Sequence, residues 1–264
     1  MFPYINERLY IIRKRFLVKA RRTQYNRNGA RFVLKIPPTH RWDVTPREAI
    51  RLQRDLAARV IEEGPAGQVR FVAGVDVGFE GADNQTARAA VVVLSFPELE
   101  PVDYAVARAR VRFPYIPGLL SFRETPVLLA ALKKLKIEPD VIMVDGHGRA
   151  HPRRMGIACH LGVLLDRSTV GCAKSILCGT AAEPRNQVGA STPLRDAGEQ
   201  IGVALRTREN AKPIFVSVGH RVSLERATEL VLRCCTRFRL PETTRYAHRV
   251  AGGERIDLES ARKS

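Results

Sequence analysis

The sequence predicts an α/β fold built on a mixed central sheet flanked by helices. Three observations predict it. Residues 69–79, 87–95 and 102–111 are β-like runs joined by short turn-rich links, which an antiparallel meander accommodates most simply. A helical stripe and then the nearly all-apolar run 140–144 follow, the latter suited to a strand buried on both faces. Helix-like and strand-like segments then alternate to about residue 237.

In chain order, Thr45-Pro46-Arg47-Glu48 carries a side-chain cap, a proline at the first helical position and a capping-box acid. Ile50, Leu52, Leu56, Ala57, Val60 and Ile61 follow at helical spacing, predicting a helix to about Glu63. After the three strands, Val127, Leu128, Ala131, Leu132 and Leu135 define a helix over 123–135. Beyond 140–144 come a helix near 154–165, strands near 169–172, 200–206 and 213–218, and a helix over 224–237. Three antiparallel strands, a helix and then a buried strand is the opening order of a ribonuclease H-like domain.

At 264 residues and 45% hydrophobic content, the chain can bury a full core as one large domain. Its net charge of +17 favours a polyanionic partner over a small neutral substrate. Much of that charge is N-terminal: the first 41 residues hold 11 Lys/Arg against Glu7 alone. Residues 1–39 therefore read as a flexible basic extension, 40–250 as the folded domain and 251–264 as a short charged tail. No segment has the roughly 18–20 consecutive apolar residues of a membrane span, and the start lacks a signal peptide's pattern, so a cytoplasmic protein is expected. Cys159, Cys172, Cys178, Cys234 and Cys235 lack the paired spacing of a zinc site and read as reduced structural thiols.

Asp76 interrupts the apolar run 71–77, and Asp145 directly follows 141–144. A carboxylate buried in such a place needs a cation, a donor or a proton. In a ribonuclease H-like sheet the first and fourth strands are parallel neighbours, which would bring these two acids together. Glu124, near the start of the following helix, could supply a third oxygen in a set suited to Mg²⁺ or Mn²⁺; taken alone, it also fits an ordinary first-turn acid. The segment 145–154 (DGHGRAHPRR) combines glycines that permit close backbone approach with groups able to meet phosphate oxygens. Lys174 follows a short strand and could stabilise phosphate charge or position water, though a surface lysine is an equal reading. His220 and His248 are isolated histidines, more often structural than catalytic. Pro114 and Pro117 stiffen a loop displaying Tyr115 and Ile116, either a wedge of the kind that unstacks bases or a packed turn.

Read in order, 72–76 (VAGVD), 113–124 (FPYIPGLLSFRE), 145–160 (DGHGRAHPRRMGIACH), 171–175 (GCAKS), 215–220 (FVSVGH) and 240–248 (LPETTRYAH) resemble endonuclease V. The resemblance covers about residues 40–250. It implies a ribonuclease H-like fold and Mg²⁺-dependent hydrolysis of DNA, with Mn²⁺ able to substitute. The implied cut falls at the second phosphodiester 3′ to deoxyinosine and leaves a 3′-hydroxyl and a 5′-phosphate. By motif match Asp76, Glu124 and Asp145 become the catalytic, metal-binding acids, with His248 near the metal and Lys174 near the scissile phosphate. Pro114, Tyr115, Ile116 and Pro117 become the strand-separating wedge. Gly118, Leu120, Gly146 and Ile157 line the lesion pocket with His151. The implied role is DNA repair by a monomer acting on deaminated bases. Two other readings remain at this point: a nuclease acting on inosine in RNA, and a nucleic-acid-binding protein without catalysis.

Overall fold

The structure is a computed structural model that describes residues 34, 36–37, 39–64, 66–81 and 84–258. The expected basic extension lies outside the described residues except at Leu34, Ile36, Pro37 and Thr39, as does the end of the charged tail from residue 259. Leu34 and Ile36 pack against the core.

The element order is α1 (Pro46–Ala57), β1 (Phe71–Glu80), β2 (Thr86–Ser95), β3 (Pro101–Arg110), α2 (Leu120–Leu132), β4 (Val141–Val144), α3 (Ile157–Leu165), β5 (Thr169–Ala173), β6 (Ser191–Asp196), β7 (Glu199–Leu205), β8 (Ile214–His220), α4 (Leu224–Arg233) and α5 (Glu242–Ala251). One eight-stranded sheet runs β3-β2-β1-β4-β5-β8-β7-β6. β1, β2 and β3 form the expected antiparallel meander, and β4 lies parallel between β1 and β5. The expected parallel pairing of the first and fourth strands is therefore present, in the register Val75↔Val144.

Strand alternation divides the core between two layers. Ala73, Val75, Ile142 and Val144 meet Val127, Leu128 and Leu132 of α2 and Leu161 of α3. Val72, Val141, Met143 and Val216 meet Leu230 and Val231 of α4 and Val250 of α5 on the opposite face. β4 is buried along its whole length, as its unbroken apolar run requires. None of the described helices is long and apolar enough to cross a membrane. All five cysteines are free; Cys159, Cys172 and Cys234 are buried, where burial raises the thiol pKa and suits inert packing.

Several boundaries differ from expectation. α1 has the predicted capping box but stops at Ala57, not Glu63. The chain beyond it turns extended, and Ile61 exchanges hydrogen bonds with the end of β8: its carbonyl accepts from Arg221 N at 2.6 Å and its N–H donates to His220 Nδ1 at 3.2 Å. α2 starts at Leu120 rather than Arg123, which moves Glu124 from the helix start into the second turn. α3 starts at Ile157 because Arg154, at φ 55°, is left-handed and belongs to the preceding turn. β6 and α5 were not expected as elements.

α5 is placed by a close approach. A Cβ at Gly74 of β1 would overlap the Thr243 carbonyl, so only glycine lets the first turn of α5 lie against the strand. Gly74→Ala is expected to lower unfolding stability by about 3 kcal/mol, at the upper end of overpacking costs, because both clashing atoms are backbone. Urea titration measures it; a loss under about 0.5 kcal/mol would show that α5 is not held this way.

Candidate active site

Asp76 follows Val75 on β1, and Asp145 follows Val144 on β4. Because Val75 and Val144 are register partners on parallel strands, the two acids leave the same sheet edge one step beyond that pair. Asp76 falls on the Gly74 face of β1, where α5 crosses, and His248 of α5 meets it: Nδ1 lies 2.8 Å from Asp76 Oδ2. Asp145 accepts a hydrogen bond from Lys174 Nζ at 2.6 Å, Lys174 being the residue after β5. Four elements, β1, β4, β5 and α5, thus bring Asp76, Asp145, Lys174 and His248 together.

Glu124 reaches the cluster from α2. It is largely buried, and its pKa is pushed up to about 8, first by burial and then by the charges of Asp76 and Asp145, with Arg123 opposing. Proximity of the three acids is thereby written into Glu124's electrostatics. Among the described residues, no three His, Cys, Asp or Glu side chains are gathered into a closed metal cluster. Asp145 is turned to Lys174, and Asp76 to His248. The donor chemistry nevertheless fits a hard divalent cation: three carboxylates, one desolvated and held off ionisation by its neighbours.

The loop between β3 and α2 stands beside this edge. Tyr115 is exposed (67%), as are Pro114 and Pro117. Ile116, expected to be displayed with Tyr115, instead packs on a cluster of Phe113, Leu119, Phe122 and Ala49 with Ile50 and Leu52 of α1. Tyr115 is therefore the ring the loop presents, and Ile116 its anchor.

Gly118 ends the loop at φ 78°, a conformation that favours glycine. Its carbonyl collects three donors: Gln53 Nε2 at 3.0 Å, His151 Nε2 at 3.0 Å and an Arg153 guanidinium nitrogen at 2.7 Å. His151 also accepts from Arg153 N at 3.1 Å through Nδ1, an arrangement of the neutral Nε2–H tautomer. Burial holds its pKa down to about 4. The expected pocket residues thus fall into one neighbourhood: His151 bonds Gly118, and a Cβ at Gly146 would stand 2.9 Å from the Ile157 side chain. Leu120 opens α2 two residues after Gly118.

Gln53 and Arg153 were missed. Gln53 is almost fully buried, and beyond Gly118 it donates to Met155 O at 3.1 Å and accepts from Arg153 Nε at 2.6 Å. A signal existed, since Gln53 occupies the buried stripe of α1 between Ala49 and Leu56, where a polar residue needs partners. Arg123 was also missed; it bonds the carbonyls of Phe113 and Asn84 and covers the Phe79 ring at 4.4 Å. His220 is structural, buried between Ile61 N and Asp166.

Glu124 makes stability depend on pH. Its folded pKa of about 8 lies above the ordinary 4.5, so the folded chain keeps a proton that the unfolded chain has lost. The group's contribution is most favourable below 4.5 and declines as pH rises through 8. With chelator present, Glu124→Gln should melt higher than the parent near pH 8, the gap narrowing towards pH 4.5. A gap independent of pH would show that Glu124 is not held protonated.

The sequence profile described as Endonuclease V matches residues 54–249. Endonuclease V of Roseiflexus castenholzii is 55% identical over 224 residues, covering 84% of this chain and 99% of that protein. The crystal structure of Endonuclease V from Streptomyces avermitilis is 43% identical with a TM-score of 0.76, covering 84% of this chain and 96% of that one. Endonuclease V of Ciona intestinalis, crystallised in complex with a 24mer DNA containing an inosine followed by a ribo-adenosine, is 29% identical with a TM-score of 0.69, covering 78% of this chain and 95% of that one. The expected ribonuclease H-like fold is the fold these structures share with the chain. The chain belongs to the endonuclease V family, and with it to the nucleases that hydrolyse the nucleic-acid backbone.

Proposed function

We propose that this chain is a DNA repair endonuclease of the cytoplasm that cuts the second phosphodiester bond 3′ to deoxyinosine, leaving a 3′-hydroxyl and a 5′-phosphate, and that it acts as a monomer on DNA carrying deaminated bases. The observation that carries the reading is the placement of Asp76 and Asp145 one residue beyond the register pair Val75↔Val144 on adjacent parallel strands, with Glu124 feeling the charge of both. The inosine-containing DNA bound by the Ciona relative supports the substrate class.

Asp76, Glu124 and Asp145 are the groups that would hold Mg²⁺, or Mn²⁺ in its place, and the ion would supply an activated water and charge neutralisation at the phosphate. Lys174 brings a positive charge to the same edge, where it would stabilise the charge of the scissile phosphate. His248 buttresses Asp76 and limits its rotation. Tyr115 offers a rigid ring to stack where the lesion leaves the helix, and Pro114 and Pro117 keep the loop from yielding, with Ile116 seated on α1. The extruded base would be received between Gly118, Leu120, Gly146, Ile157 and His151. Extrusion costs less at an inosine mispair than at a normal pair, which favours the lesion.

Asp76→Ala and Asp145→Ala are each expected to abolish cutting of an inosine duplex while leaving binding nearly intact, read by single-turnover cleavage and by gel shift. Measurable cutting by both variants would sink the assignment. Tyr115→Ala should weaken binding to the inosine duplex by about 1–3 kcal/mol, the scale of aromatic stacking on a base, and leave undamaged duplex little affected. Equal losses on both would reduce the loop to a structural turn.

A further inference from the structure

The exposed face of α1 takes no part in the site described above. Its buried face is Ala49, Gln53 and Leu56. Directly opposite, Arg47, Arg51 and Arg54 recur at i, i+4 and i+7 and all three are exposed. Two acids of the helix neighbour Arg51 and temper the row at its centre: Glu48, three residues before it, feels its charge, and Asp55 lies four residues after it. Glu48 is engaged with Thr45 in the capping box, its Oε2 2.7 Å from Thr45 N. Three arginines against these two acids leave this face of the helix net positive.

The row is also rigidly placed. Gln53 on the inner face of α1 donates to Gly118, the residue after the wedge loop, and Ile50 and Leu52 of α1 pack against the same buried cluster of Ala49, Phe113, Leu119 and Phe122 as Ile116 of that loop. Arg54 lies near enough to Arg153 for its charge to act there, and Arg153 itself donates to Gly118. From Arg47 to Arg54 the helix advances about 10 Å, roughly three base steps of 3.4 Å along one strand.

We propose that Arg47, Arg51 and Arg54 of α1 form a docking surface for the phosphate backbone of the duplex that flanks the wedge, on one side of the lesion. This rests on the reading of the chain as a nuclease that opens DNA at Tyr115. The guanidinium row tracks phosphates beyond the opened base, while the α1–Gly118 connection keeps it in register with the wedge. Its contribution is independent of sequence and lesion, because phosphates are the same on any duplex.

The test is salt-dependent binding. The triple variant Arg47→Gln, Arg51→Gln, Arg54→Gln is compared with the parent on inosine and undamaged duplexes, and on inosine duplexes shortened on one side or the other. Each lost phosphate contact removes about 0.9 from the slope of log K against log salt, so the triple variant should lower it by about 2–3. Affinity at low salt should fall about tenfold or more, equally on inosine and undamaged DNA. The loss should vanish on one of the two shortened duplexes. The triple Lys variant should keep most of the slope, and unchanged melting temperatures separate lost contacts from lost structure. An unchanged slope, or the same loss on both shortened duplexes, overturns the docking surface. Because these are binding readouts, a parent protein that fails to cut inosine DNA would defeat the proposed function while leaving the slope comparison decisive for α1.

Discussion

The fold is organised around like charge gathered in one place. Parallel pairing of β1 and β4 delivers Asp76 and Asp145 to the same edge, and α2 adds Glu124 to them. Such a group is unfavourable unless something answers it. Three answers are visible: Lys174 on Asp145, His248 on Asp76, and a Glu124 pKa pushed up to about 8. Each comes from a different element, so the sheet order, the close seat of α5 on Gly74 and the start of α2 all bear on the same cluster.

A second constraint ties the loop between β3 and α2 to the elements around it. The Gly118 carbonyl takes donors from α1, from His151 and from Arg153, so one backbone oxygen ties the helix, the loop and the turn after β4 together. Gln53 is saturated on both ends of its amide, which makes its buried position stable. What the loop leaves exposed is Tyr115 and the flanking Pro114 and Pro117. A rigid mounting of this kind lets stacking energy be spent on separating bases rather than on ordering the protein.

Much of this was legible beforehand because strong local signals matched their surroundings. Asp76 inside an apolar run and Asp145 at the end of another marked positions where only a functional reason explains the residue, and the capping box of α1 appeared as predicted. The signals that failed were weak for physical reasons. β6 is an edge strand with an exposed, irregular pattern and Pro193 within it, so it lacks the apolar run of an inner strand. α5 buries Thr243, Thr244 and Ala247 alongside Val250 and Ala251, and small or polar residues on a buried face leave little apolar periodicity. Val60 and Ile61 continued a helical spacing, but the backbone N–H and carbonyl of Ile61 pair with the end of β8 instead. Asp76, Asp145, Glu124 and Lys174 were singled out first by their place in the chain and then by motif resemblance, and the proposed role of His248 by resemblance alone; geometry then explains why those residues share one edge, while the bonds of Gln53 and Arg153 to Gly118 needed three dimensions to be noticed.

The most direct measurement is single-turnover cleavage of a duplex carrying one deoxyinosine, with the cut mapped to the nucleotide, in Mg²⁺ and in chelator, beside an adenine control and the matching inosine RNA. The account predicts a single nick at the second phosphodiester 3′ to the lesion, present in Mg²⁺, lost in chelator and absent from the adenine duplex. Cutting that ignores inosine, survives chelation or is much faster on the RNA would contradict it.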